Sequence, residues 1–108
     1  MTRLLTLLLM ASAVLFAADS RDLLVAIRDG DHAKVQKLLH AGTDVNAADA
    51  GGTTALMHSV IESDVKMMTL LLDSGANVNA QNTIESTALM YAAVNLEKTR
   101  LLLDHGAH

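Results

Sequence analysis

Histidine is the side chain best suited to hold a metal or move a proton near neutral pH, so the five histidines of this 108-residue chain are the first place to look for chemistry. Their spacing does not gather them. His32, His40 and His58 are separated by unrelated intervals, and no cysteine or paired carboxylate stands nearby to complete a ligand set. His105 and His108 are three apart but flank Gly106, where a helix would end. Nucleophilic and phosphate chemistry fare no better: there is no Ser-His-Asp arrangement, no glycine-rich phosphate loop and no Glu-x-x-His pair. The absence of cysteine also removes disulfides, thiolate catalysis and a thioether-linked lipid anchor. The residues therefore imply no catalytic site, no metal and no cofactor.

The elements that would carry any other function are short helices. Half the residues are apolar, yet Phe16 and Tyr91 are the only aromatics, so a core must be built from Leu, Val, Ala and Met. Proline is absent, which leaves long stretches free to be helical. Met57, Met67, Met68 and Met90 fall where such helices would bury or half-bury them. The net charge is −4, with twelve acidic side chains against eight basic. No basic run or aromatic platform exists to track a phosphate backbone, so nucleic acid is not an expected partner.

The first residues have the order of an export signal: Arg3 and the amino terminus supply positive charge, then Leu4 to Ala18 carry none and end in small residues before Asp19 and Ser20. Fifteen residues of helix reach about 22 Å, short of the roughly 30 Å that a spanning helix crosses. This predicts a signal peptide over 1–17, cleavage near Ala17 and no stable membrane insertion afterwards. A buried first helix and an uncleaved anchor are the alternatives. The mature chain would lie in the periplasm or be secreted, with seven basic side chains left against twelve acidic ones.

From Ser20 onward the chain repeats itself. Thr54-Ala55-Leu56-Met57-His58 returns as Thr87-Ala88-Leu89-Met90-Tyr91, a period of roughly 33 residues. Leu38-Leu39-His40-Ala41-Gly42 returns as Leu71-Leu72-Asp73-Ser74-Gly75 and again as Leu102-Leu103-Asp104-His105-Gly106. Within the middle unit Leu56, Val60 and Ile61, then Val65, Met68, Leu71 and Leu72, recur at helical spacing with Ser63 and Asp64 between them. Two helices and a tight turn follow, with Thr54 as the cap of the first and Gly75 in left-handed geometry after the second. Residues 76–86 then form a hairpin-like loop to the next unit.

These residues resemble the ankyrin repeat, with its Thr-Pro-Leu-His start, Leu-Leu-x-x-Gly-Ala end and Asp-Val-Asn-Ala link; Thr43-Asp44-Val45-Asn46-Ala47 and Ala76-Asn77-Val78-Asn79-Ala80 supply the link here. The resemblance covers 18–108 and implies an all-α solenoid of stacked helix-turn-helix units, at about 20–46, 47–79 and 80–108, after a signal-peptide helix. With that signal, the chain resembles the bacterial exported type. Unit one, with Ser20 as its cap and Asp22, Arg28, Asp29 and Asp31 on its helices, reads as an amino-terminal capping unit. Ala55 stands for the usual Pro and Met57 for the usual His, whose hydrogen bonds are lost. Unit three lacks two residues between Ala93 and Leu96, so Asn95 is expected to make the turn alone in left-handed geometry.

The resemblance further implies a module that binds another protein through its loop tips and inner-helix face. Aligned to the family, the tips are Asp49, Ala50, Gly51 and Thr53, then Asn82, Thr83, Ile84, Glu85 and Ser86. The helix positions are Arg28 and Asp29, Ile61 and Glu62, and Val94 and Asn95. Ile61, Ile84 and Tyr91 read either as contact anchors or as packing groups, Ile84 closing a loop in which Glu85 replaces the usual Gly. An exported regulatory or inhibitory subunit, or the ankyrin part of a larger multidomain protein, is the competing reading. Unit three stops at His108, so Leu89, Leu101, Leu102 and Leu103 are expected to be left partly bare, to be covered by further repeats or by self-association.

Overall fold

The computed structural model describes residues 20–108; the segment 1–17, expected from its sequence to be a signal peptide, lies outside them. Among the described residues six helices follow in order: α1 (20–28), α2 (His32–His40), α3 (Ala55–Glu62), α4 (Val65–Asp73), α5 (Ala88–Ala92) and α6 (Leu96–Asp104). They pair as α1/α2, α3/α4 and α5/α6, one pair to each repeat. No β-strand occurs among the described residues; a single antiparallel bridge, Ala48 with Thr54, closes the loop before α3. The architecture is an all-α repeat fold. None of the described helices is long and apolar enough to cross a membrane.

Each outer helix starts on a side chain that accepts from the third residue inside it. Asp31 takes the N–H of Lys34 at 3.1 Å, Asp64 that of Met67 at 2.8 Å and Asn95 that of Lys98 at 3.0 Å. One otherwise unpaired N–H is thereby satisfied in each helix. Thr54 does the same for α3 through Met57 N at 3.3 Å, as its sequence position predicts, whereas Thr87 makes no such bond to α5. Ser20 is already helical, so it is not the residue that precedes α1. Outer helices end on Gly42, Gly75 and Gly106, all at positive φ. The left-handed glycine turns the chain so that Ala76 N reaches back to Leu71 O at 3.0 Å and Gly75 N to Leu72 O at 3.1 Å.

The core runs through the stack as one thin layer. Leu23 and Ile27 of α1, Val35 of α2, Leu56, Met57 and Val60 of α3, Met67, Met68, Leu71 and Leu72 of α4 and Leu102 of α6 are buried. Aliphatic residues and methionine do the packing, as the near-absence of aromatics requires. Met90 departs from the expectation set by the other methionines: it is exposed. Of the leucines expected to be bare in unit three, Leu102 is fully buried and Leu89 and Leu101 are half-buried, so only Leu103 keeps half its surface.

The two missing residues of unit three come out of its inner helix. α5 has five residues where α3 has eight. Ala93 and Val94 make the turn, Asn95 N donates to Ala92 O at 2.8 Å, and Asn95 is extended at φ −118°. Asn95 is thus the cap of α6, in the place of Asp64, and not a left-handed turn residue. A left-handed Asn is unnecessary when the helix itself can stop early.

Candidate binding surface

The loops before α3 and α5 are built on one carboxamide or carboxylate each. Asp49 Oδ1 accepts from Gly51 N and Thr53 N, both at 3.0 Å, and Asp49 Oδ2 lies 3.0 Å from His58 Nε2. Burial alone would raise the Asp49 carboxyl, but the N–H of Thr53, the His58 imidazole and the N–H of Gly51 outweigh it and hold the group below its ordinary value. One repeat later Asn82 occupies the same place. Its carbonyl oxygen accepts from Ile84 N at 3.1 Å and Ser86 N at 3.0 Å, while its amide donates to Tyr91 Oη at 2.9 Å and Thr53 Oγ1 at 3.4 Å. The hydrogen-bond bracket that Met57 cannot make is made by His58, the next residue.

Cross-repeat bonds hold the loops in line. Thr83 N donates to Gly51 O at 3.0 Å, and Asn77 N to Asn46 Oδ1 at 2.7 Å. A Cβ on Gly52 would meet Asn82 Cα at 3.3 Å, so the close approach of the two loops also depends on that glycine. Glu85 sits at the equivalent position one repeat on, with φ 62° beside 74° for Gly52. The loop keeps its left-handed turn although the glycine is gone.

On the inner-helix side a run of charges links repeats one and two. Arg28 Nε lies 3.5 Å from Glu62 Oε2, which lies 3.6 Å from His58 Nδ1. Asp49 and Glu62 flank opposite nitrogens of the same ring, so they do not converge on one point. Among the described residues no group of three or more such side chains could hold a metal ion. His32 Nε2 bridges to Asp64 across the same repeat boundary at 2.9 Å. The His32 contact and the N–H of Met67 hold the Asp64 carboxyl below its ordinary range.

The aligned contact residues divide by what already occupies them. Asn82 is 8% exposed and fully engaged inside its loop, so burial removes it from the surface where an exposed tip was expected. Thr53 and Tyr91 are half-buried and bonded to Asn82; Tyr91 is a bracket as well as a partly open ring. Asn95 caps α6, and neither Val94 nor Asn95 lies on a helix face, because α5 ends at Ala92. Asp49, Arg28 and Glu62 reach solvent but hold internal partners. Ala50, Ile84 and Glu85 at the tips, Asp29 and Ile61 at the ends of the inner helices, and Val94 in the shortened turn remain open. Ile84 is 73% exposed and Val94 wholly so, which resolves the packing alternative for Ile84 against burial.

One structural support was not visible from residue type alone. Lys98 Nζ donates to Val60 O at 2.7 Å and Ser63 O at 2.8 Å, closing the carbonyl end of α3 from the next repeat. Only an alignment that follows the two-residue loss places Lys98 where Met67 stands one repeat earlier. A groove of about 420 Å³ between α2 and α4 is lined by Gln36, Leu39, His40, Thr43, Val45, Leu70, Asp73 and Ser74, none of them an aligned contact residue.

Helix pairs repeated in register, joined by loops that bond to one another across each boundary, define a solenoid of the ankyrin class. Residues 23–108 match the family model described as ankyrin repeats, in three copies, and the chain belongs to the ankyrin-repeat family. No curated protein matches it. Ankyrin repeats are in general modules for protein–protein interaction, and domains built from them are typically non-catalytic.

Proposed function

We propose that the chain is a binding module of the bacterial exported type, which works in the periplasm or after secretion and grips a protein partner through its loop tips and the adjoining ends of its inner helices. The observation that carries this reading is the set of apolar side chains left open on that side: Ile84 at a loop tip, Ile61 at the end of α3 and Val94 beyond α5. Apolar groups exposed to solvent are the usual anchors of a protein contact, and Asp29, Ala50 and Glu85, exposed at the same loop tips and inner-helix ends, are polar or small. The uncharged run from Leu4 to Ala18 behind Arg3 supports export.

The test places a photo-reactive residue at Ile84, Ile61 or, as a control on α2, Gln36, in the chain expressed with its own amino terminus. Cell fractionation with intact-mass analysis reads export and processing; the cross-link pattern reads the contact face. Export requires a periplasmic or secreted product lacking Arg3. The contact face requires one discrete adduct from positions 84 and 61 and none from 36; equal labelling at all three would overturn it.

A further inference from the structure

The repeat offers an internal comparison of covered and uncovered ends. Met57 and Leu72 of the second repeat are 1% and 8% exposed, under the third repeat. Their equivalents in the third repeat, Met90 and Leu103, are 59% and 50% exposed, and Leu96 at the start of α6 is exposed as well. The end face of α5 and α6 is therefore an apolar surface of the kind that another helix pair covers elsewhere in the same molecule.

Charge on that face selects what covers it. Arg100 and Asp104 hold the positions that Gln36 and His40 hold in repeat one, where they line the groove toward α4. They lie four residues apart, hence on one edge of α6, and both are exposed. Stacking the first repeat of another copy onto this face, as a fourth repeat, would set Lys37 in the place of Leu70, beside both Arg100 and Asp104, where repulsion from one offsets attraction to the other. A two-fold axis pairs both groups instead: α6 packed antiparallel on its own copy carries each Arg100 to an Asp104, with Leu103 between them, and the interface closes on itself.

We propose that the α5/α6 end face is a self-complementary docking surface for a second copy of this chain, with Met90 and Leu103 in its centre and two reciprocal Arg100–Asp104 pairs at its edges. It requires neither export nor a foreign partner, so its failure leaves the preceding reading intact, and the converse also holds.

Sedimentation of the full chain, in the amino-terminal form in which the cell delivers it, reads the association. The wild-type chain is expected to approach twice the monomer mass with rising concentration and to stop there. Arg100→Asp and Asp104→Arg each place like charges against each other twice and should weaken the dimer about tenfold or more at low salt, the difference shrinking as salt is added. Mixing the two variants should restore association, since one supplies two acids and the other two bases; circular dichroism confirms that each is folded. Four results would overturn the proposal: a wild-type monomer at every concentration, growth beyond the dimer, tighter association of Arg100→Asp, or no recovery in the mixture.

Discussion

His58 Nε2 lies 3.0 Å from Asp49 Oδ2, and one repeat later Tyr91 Oη lies 2.9 Å from Asn82 Nδ2. The same bracket is built twice from different chemistry: an imidazole with a carboxylate, then a phenol with a carboxamide. In both cases the first residue of the pair belongs to the inner helix and the second organises the loop by accepting two backbone N–H groups. The loop that carries the open residues is in this way tied to the helix beneath it.

Because Asn82 is buried and uses both ends of its carboxamide, its replacement should be costly. Asn82→Ala leaves the N–H groups of Ile84 and Ser86 and the hydroxyls of Thr53 and Tyr91 without this partner, and is expected to lower stability by about 2 kcal/mol. Ala50→Ser, on the exposed tip of the other loop, should stay within about 0.5 kcal/mol. Urea denaturation measures both; equal midpoints would show that the loop is not held by Asn82.

The Asp64 carboxyl links acid stability to the boundary between repeats one and two. The His32 contact and the Met67 N–H depress its folded value, so its contribution to stability is fully present above the unfolded value near 3.8 and fades as pH falls through the lower folded one. Asp64→Asn keeps a capping oxygen but does not titrate. Between pH 5 and 2 the variant should lose less stability than the wild-type chain, measured as the change of urea midpoint with pH. Identical pH slopes would remove Asp64 from the acid response.

Glu85 supports a further expectation from its backbone. A non-glycine residue in left-handed geometry costs roughly 1 kcal/mol or more, and Gly52 shows that this loop position accepts glycine. Glu85→Gly should therefore raise the melting temperature, the strain relieved outweighing the greater freedom glycine has when unfolded. A lower melting temperature would mean that the Glu85 side chain contributes more than its backbone costs.

Most of the fold could be read from spacing. Gly75 in left-handed geometry and Thr54 as a cap follow from where helical periodicity begins and ends, and both recur in the structure. The contact face was less legible, for two physical reasons. Alignment places a residue at a loop tip but does not say which way its side chain is bonded, and Asn82 points inward where Ile84 points out. The register of the first two units, carried across the loss in unit three, also puts Val94 and Asn95 on a helix that has already ended. Gly106 follows Gly75 at a shorter interval than Gly75 follows Gly42, and following that change would have set Asn95 beside Asp64 as a cap.

That loss has a consequence at Lys98, which replaces the buried Met67 of the preceding repeat. α5 is nearly a turn shorter than α3, so the carbonyl end of α3 extends past its neighbour, and Val60 O and Ser63 O need a donor that a methionine does not supply. Lys98 Nζ reaches both. Lys98→Met would restore the apolar character of the equivalent position and, on burial alone, should be favourable. Charge-assisted hydrogen bonds are worth about 1.5–3 kcal/mol, although a half-buried lysine retains some solvent and the lower part of that range applies. The expected result is a net loss of about 1 kcal/mol for Lys98→Met, with Lys98→Arg recovering part of it because a guanidinium can still donate to both carbonyls. Thermal and urea unfolding of the three proteins decide the matter: a Lys98→Met chain as stable as the wild type would show that water closes the end of α3 just as well.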